Sequence, residues 1–81
     1  MSLSPREVIL RIIWHPEERE EDYLIVIRHR GAPRNEIRIP LSEVSPKRWF
    51  LEYEGKLIPY HRVLRIERKE GDVIWSKGRG E

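Results

Sequence analysis

Cysteine is absent from this chain of 81 residues, which excludes a disulfide framework, a thiolate metal site and a thiol nucleophile together. Long apolar runs are absent too. No stretch approaches the ~20 residues of a bilayer span, and Met1-Ser2-Leu3-Ser4 leads into a helix start rather than the apolar core of a signal peptide. The reading is of a soluble, cytoplasmic protein without a membrane partner. There is no P-loop or dinucleotide fingerprint, no calcium-loop spacing in the acidic stretch, and no pairing of histidine with carboxylate at a metal-ligand spacing, so neither metal nor cofactor is expected. Repeats and linkers are missing as well, and residues 1–81 read as a single domain with an ordered core over 4–77 and a flexible tail over 78–81. A domain this short buries only about 60% of the surface its unfolded chain exposes, which leaves no room for a large internal active site.

What the chain has in quantity is charge. Charged residues make up 37% of it, yet 16 Lys and Arg against 14 Asp and Glu leave a net charge of only +2, so the total argues weakly for a polyanionic partner. Distribution is more telling. Glu17, Glu18, Glu20, Glu21 and Asp22 form an acidic block, Arg28, His29, Arg30, Arg34 and Arg38 a basic one, and His61, Arg62, Arg65, Arg68 and Lys69 a second basic series. If the two basic series lie on neighbouring strands, they make one cationic surface. The alternative is a solvated ion-pair lattice of the kind found in heat-adapted proteins.

Ser4-Pro5-Arg6-Glu7 reads as a helix opening, with Ser4 as cap, Pro5 at the first helical position and Glu7 completing a capping box. Val8, Ile9, Ile12 and Ile13 continue as an apolar stripe with Trp14 closing that face onto a sheet, and His15-Pro16 ends the run. Tyr23 to Arg30 predicts a central strand emerging into solvent, Gly31-Ala32-Pro33 a turn, and Glu36 to Leu41 a half-buried strand whose edge or end Pro40 marks. A helical turn over 41–46, a strand through Trp49, Leu51 and Tyr53, a turn at Glu54-Gly55-Lys56 and a hairpin around 69–72 complete the pattern. The fold class expected is α+β, with one N-terminal helix packed on a mainly antiparallel sheet of about five strands that could curl into a partial barrel.

The richest stretch is Leu57-Ile58-Pro59-Tyr60-His61-Arg62-Val63-Leu64. Pro59 cannot donate to a ladder and fits best where a strand begins, so Tyr60, His61 and Arg62 should project from a strand end. On a regular strand His61 and Arg62 point to opposite faces. A bulge or a strand start would reconcile them, and an inward Arg62 would snorkel or pair with Glu52 or Glu54. His29 and His61, each beside an arginine, could act as acid and base on a phosphodiester; each could equally pack on the sheet and bond a backbone group. His15 reads as a helix-end residue. Alternation assigns Trp14, Trp49 and Trp75 mostly to packing and leaves Phe50 and Tyr60 as the candidates for stacking on bases. Gly78-Arg79-Gly80 has the look of a small RNA-contacting tail, although terminal glycines more often mark simple disorder.

Trp14 with Pro16, His29-Arg30-Gly31, Ile39-Pro40, Ile58-Pro59-Tyr60-His61-Arg62-Val63, Gly71 and Val73-Ile74-Trp75 follow one another at a characteristic spacing. In this the chain resembles a family of small, mainly archaeal proteins. Their domain, also found fused to RNA-processing enzymes, is proposed to recognise RNA ends carrying a cyclic phosphate. The resemblance implies that Arg30, His61 and Arg62 contact the phosphate and Tyr60 a base or ribose; the basic block of the sequence adds Arg28, His29 and Arg34 as RNA-binding candidates. Three functions compete on this reading. The first is a non-catalytic module for phosphorylated or cyclic-phosphate RNA ends in RNA processing or repair, working alone or beside a processing enzyme. The second is a phosphoesterase or nuclease using His29 and His61. The third is a protein-interaction adaptor without RNA affinity, which should display an apolar patch instead.

Overall fold

The computed structural model describes residues 3–78. Its helix begins where the sequence places it: the Ser4 hydroxyl accepts from the Glu7 amide at 3.2 Å and the Glu7 carboxylate accepts from the Ser4 amide at 2.8 Å, a complete capping box. The helix, α1, spans Pro5–Trp14 and stops as His15 adopts the extended backbone that a following proline demands. Val8, Ile9 and Ile12 are buried and Ile13 packs beside them. Trp14 does not close that face. It is 78% exposed, because a helix turns about 100° per residue and sets Trp14 on the side opposite Ile12.

Seven strands follow: β1 Tyr23–Arg28, β2 Glu36–Pro40, β3 Ser45–Pro46, β4 Phe50–Tyr53, β5 Lys56–Pro59, β6 Val63–Arg68 and β7 Val73–Ser76. They form a four-stranded sheet in the order β2-β1-β6-β7 and a three-stranded sheet in the order β3-β4-β5. Every pairing is antiparallel. The α+β architecture is the expected one, but the strands divide into two sheets instead of one, and no barrel closes among the described residues. β1 is central and β2, ending in Pro40, lies at an edge, as read from the sequence. The helix stripe, the inward residues Tyr23, Ile25 and Ile27 of β1, Ile39 and Leu41, Leu51 and Ile58 of the small sheet, and Val63 and Ile66 of β6 meet in one core. Of the tail expected over 78–81, residues 79–81 lie outside the described residues.

The opposite face of the large sheet is closed by charge. Val26, at 0% exposure, has Arg38 and Arg65 as its cross-strand neighbours. Arg65 forks onto Glu36 at 2.7 and 3.1 Å and reaches Glu67 at 3.0 Å, and Arg38 approaches Glu67 at 3.4 Å. The arginine stems thus roof an apolar side chain while their heads pair. Arg68 is engaged in the same manner, 4.0 Å from Glu18 and with its guanidinium 5.2 Å from the Tyr23 ring centre. For Arg38, Arg65 and Arg68, then, the lattice reading holds.

This network carries a pH dependence. The Arg65 guanidinium, hydrogen-bonded to Glu36, holds its carboxyl below the ordinary carboxylate value. A carboxyl whose folded value is depressed stabilises the fold fully above its unfolded value, and that stabilisation is lost as pH falls through the folded one. Glu36→Gln is expected to lower the melting temperature at neutral pH, and the gap to the parent should close below about pH 4. A gap that persists unchanged in acid would mean that Glu36 acts through packing alone.

Candidate functional site

β1 leaves its neighbours at Arg28, the last residue registered with β2, opposite Glu36, and one beyond the Ile27 to Val63 pair. The connection that follows is tight. The Asn35 carbonyl accepts from the His29 amide at 2.8 Å, the His29 carbonyl from Ala32 at 3.2 Å, and the Ala32 carbonyl from Asn35 at 2.7 Å. Gly31 supplies a φ of 95°, but Arg34 and Asn35 also stand at 59° and 58°. A left-handed backbone costs a side-chain-bearing residue about 1–2 kcal/mol, so the loop holds Arg34 outward at some expense.

The second segment arrives beside the first. Tyr60–Arg62 forms a 3₁₀ turn between β5 and β6, and at three residues per turn its side chains point three ways. Arg62 donates from Nη2 to the Arg28 carbonyl at 2.7 Å. Tyr60 donates its hydroxyl to the Lys47 carbonyl at 2.6 Å. His61 is exposed between them, and its carbonyl accepts from the Lys77 ammonium. The turn resolves the parity conflict of a regular strand. Past it, the pairing steps from Ile27–Val63 to Val26–Arg65, so Leu64 is an extra residue that restores the inward face of β6.

Arg62 does turn inward, yet it takes the Arg28 carbonyl rather than Glu52 or Glu54. It lines a cavity of about 280 Å³ between the end of the large sheet and the β4–β5 hairpin, together with Ile27, His29, Ile37, Tyr53, Glu54, Lys56, Leu57 and Ile58. That is slightly less than the ~300–1,000 Å³ of a small-molecule cleft, the size for one terminal group. Burial, followed by the neighbouring Glu54 charge, pushes the Tyr53 phenol up, so it is a neutral wall. Among the described residues Arg28, Arg30, Arg34 and Arg62 enter no ion pair, in contrast to the arginines of the outer face.

Of the residues singled out in the sequence, Arg28, His29, Arg30, Arg34 and Arg62 are thus carried by two segments that meet at one end of the large sheet. His61 sits on the same turn but does not line the cavity, so it does not share it with His29. Tyr60 points away, its ring packed on the core and its phenol pushed up chiefly by burial, with Arg6 opposing. The exposed aromatics are the reverse of those expected: Phe50 and Tyr60 are half-buried, whereas Trp49 is 72% exposed. Trp49 lies before β4 rather than on it, so strand parity does not govern it. Lys56, Leu57 and Lys77 were not legible as site residues. The one available signal was Leu57-Ile58, two consecutive apolar residues of which a strand can bury only one.

Among the described residues no group of three or more His, Asp or Glu is placed to hold a metal ion, and no helix is long and apolar enough to cross a membrane. No solved structure matches the chain. Similar proteins are archaeal. UPF0248 protein TK0315 of Thermococcus kodakarensis is 44% identical over 73 residues, 90% of each chain. UPF0248 protein PF1300 of Pyrococcus furiosus is 42% identical over 78 residues, 95% of this chain and 93% of its own. UPF0248 protein MJ1316 of Methanocaldococcus jannaschii is 40% identical over 73 residues, 89% and 91% of the two chains. Residues 3–77 match the family described as the MJ1316 RNA cyclic group end recognition domain, and with nearly the whole chain covered, the protein belongs to that family.

Proposed function

We propose that this protein is a non-catalytic RNA-end-binding module that holds a terminal phosphate, preferentially a 2′,3′-cyclic one, at the cavity beside Arg62. The observation that carries the reading is the bond from Arg62 to the Arg28 carbonyl. It fixes one guanidinium at the cavity wall beside the loop that bears His29, Arg30 and Arg34. The remaining N–H groups of that guanidinium match phosphate oxygens in a planar fork, which an ammonium cannot do. The family description, which names RNA cyclic group ends, agrees with this chemistry.

The cavity lining favours the cyclic form. A cyclic phosphate is a diester with a single charge, whereas a terminal monoester carries about −1.5 to −2 near neutral pH. In the lining, Arg62 and Lys56 stand against Glu54, a balance of one positive charge that suits a single phosphate charge, and the apolar Ile27, Ile37 and Ile58 make a second charge costly to desolvate. Arg28, Arg30, Arg34 and His61 lie outside this lining, where they would steer the preceding backbone and leave base sequence unread. Such a module would serve RNA processing or repair by holding a cleaved end for a separate enzyme.

With two to four phosphate contacts, the log–log dependence of affinity on salt should have a slope of about −1.5 to −3 for a single strand. Titration of a short RNA with a cyclic end across a salt series measures it. A slope of zero would remove the reading.

A further inference from the structure

Resting on that reading, we infer that the tip of the β3–β4 hairpin is a second subsite, at which the base of the nucleotide preceding the bound end stacks on Trp49. The tip is a two-residue loop. Pro46 pairs with Leu51 and the Phe50 carbonyl accepts from the Lys47 amide at 2.9 Å, which leaves Arg48 and Trp49 as the loop itself. Such loops ordinarily take Asn-Gly or Asp-Gly. Here neither residue adopts a positive φ, and the hairpin places a tryptophan in solvent where it contributes almost nothing to the core. The Arg48 guanidinium lies 5.2 Å from the Trp49 ring centre. A cation over one face, with the ring 72% exposed, leaves the other face for a base.

The surroundings of this tip are cationic, and the 3₁₀ turn Tyr60–Arg62 connects them to the end site. The Lys47 carbonyl accepts from Arg6 Nε at 3.2 Å and from the Tyr60 hydroxyl at 2.6 Å, so α1, the hairpin tip and the 3₁₀ turn are pinned at one point. Tyr60 and Arg62 are the two ends of that turn, about 4 Å apart along its axis at ~2 Å per residue. One faces the tip and the other the cavity, with exposed His61 between them. Trp49 adjoins the Phe50–Pro59 end of the β4–β5 pair and the cavity adjoins its Tyr53 end, about 13 Å away along β4 at ~3.3 Å per residue, so a strand whose terminal phosphate rests on Arg62 crosses that distance past His61 to bring its next base to Trp49, with Arg6 and Arg48 flanking its backbone. Lys47 is partly neutralised by Glu52 at 3.7 Å and is assigned no contact. The other exposed tryptophan, Trp14, lies on the far side of α1 among Leu3, Glu7, Leu10 and Arg11 and serves as the internal control.

The test compares Trp49→Ala, Trp49→Phe and Trp14→Ala by anisotropy on a short cyclic-ended RNA and on the same RNA abasic at the penultimate position, and by calorimetry on a free 2′,3′-cyclic mononucleotide. Trp49→Ala should bind the intact RNA roughly five- to 150-fold more weakly, the range for one lost base stack. It should bind the mononucleotide as the parent does, and it should lose no further affinity on the abasic strand. Trp49→Phe should restore most of the binding, and Trp14→Ala should match the parent. Unchanged RNA affinity in Trp49→Ala would overturn the subsite, and so would an equal loss on intact and abasic strands. If the parent shows no preference for the cyclic end but the Trp49 effect persists, the end-site reading fails and the subsite remains a stacking platform for single strands.

Discussion

Replacing Arg62 with alanine is expected to weaken binding of a cyclic-phosphate RNA end by about ten- to 150-fold, the equivalent of the ~1.5–3 kcal/mol carried by a hydrogen bond to a charged group. The side chain does two things. It presents a guanidinium to the cavity, and it bonds the Arg28 carbonyl at 2.7 Å, so the variant should also lose about 1 kcal/mol of stability. For a domain of this size that is a fall of about 4–8 °C in melting temperature. Arg62→Lys separates the two effects by keeping the charge without the fork, and its affinity should fall between parent and alanine variant. Anisotropy with a melting curve on each protein measures both. Affinity within twofold of the parent in Arg62→Ala would remove Arg62 from the site.

A larger effect on the fold itself is expected at Ile66. It is 0% exposed and stands at the centre of the large sheet, opposite Ile25 on β1 and Trp75 on β7. Truncating a buried isoleucine to alanine costs about 2–5 kcal/mol, the spread reflecting how far the cavity collapses. Against a total of about 0.05–0.15 kcal/mol per residue, this is a large share of the stability of an 81-residue chain. Ile66→Ala should melt roughly 10–40 °C below the parent. Val73→Ala, at an exposed position of β7 in the same sheet, should stay within about 0.5 kcal/mol of it. A loss at Ile66 no larger than at Val73 would mean that the sheet does not pack as described.

Much of this fold is legible in the residues because local and global signals agree. The Ser4 to Glu7 box, the Val8, Ile9 and Ile12 stripe and the Gly71 turn each specify a local geometry that the core then uses. The failures are equally physical. Trp14, the last residue of α1, sits off the apolar stripe of that helix, and Trp49 continues a strand parity one residue outside β4. The large aromatic ring looks like core, but neither backbone directs it there. The division into two sheets was not legible either, because Ser45–Pro46 is too short a strand to leave an alternation.

For the site, the residue types were legible and their grouping was not. Arg38 and Arg65 look the same in the sequence as Arg28 and Arg62, and only the strand register shows that the first two are committed to Glu36 and Glu67. The cationic end of the molecule is thus what remains once the ion-pair lattice has taken its share. A single 3₁₀ turn then decides which of three consecutive polar residues faces the cavity. No periodicity announces such a turn, although Pro59 marks where it begins.

The most direct test of the central claim is an anisotropy titration with three short RNAs identical except for a 3′-hydroxyl, a 3′-phosphate or a 2′,3′-cyclic phosphate end, each recovered afterwards and checked for cleavage. Tightest binding to the cyclic end, with that end unchanged, is the result predicted for a cavity that accepts one phosphate charge. Equal affinity for all three ends would contradict it, and conversion of the cyclic end would contradict the assignment of a binding module without catalysis.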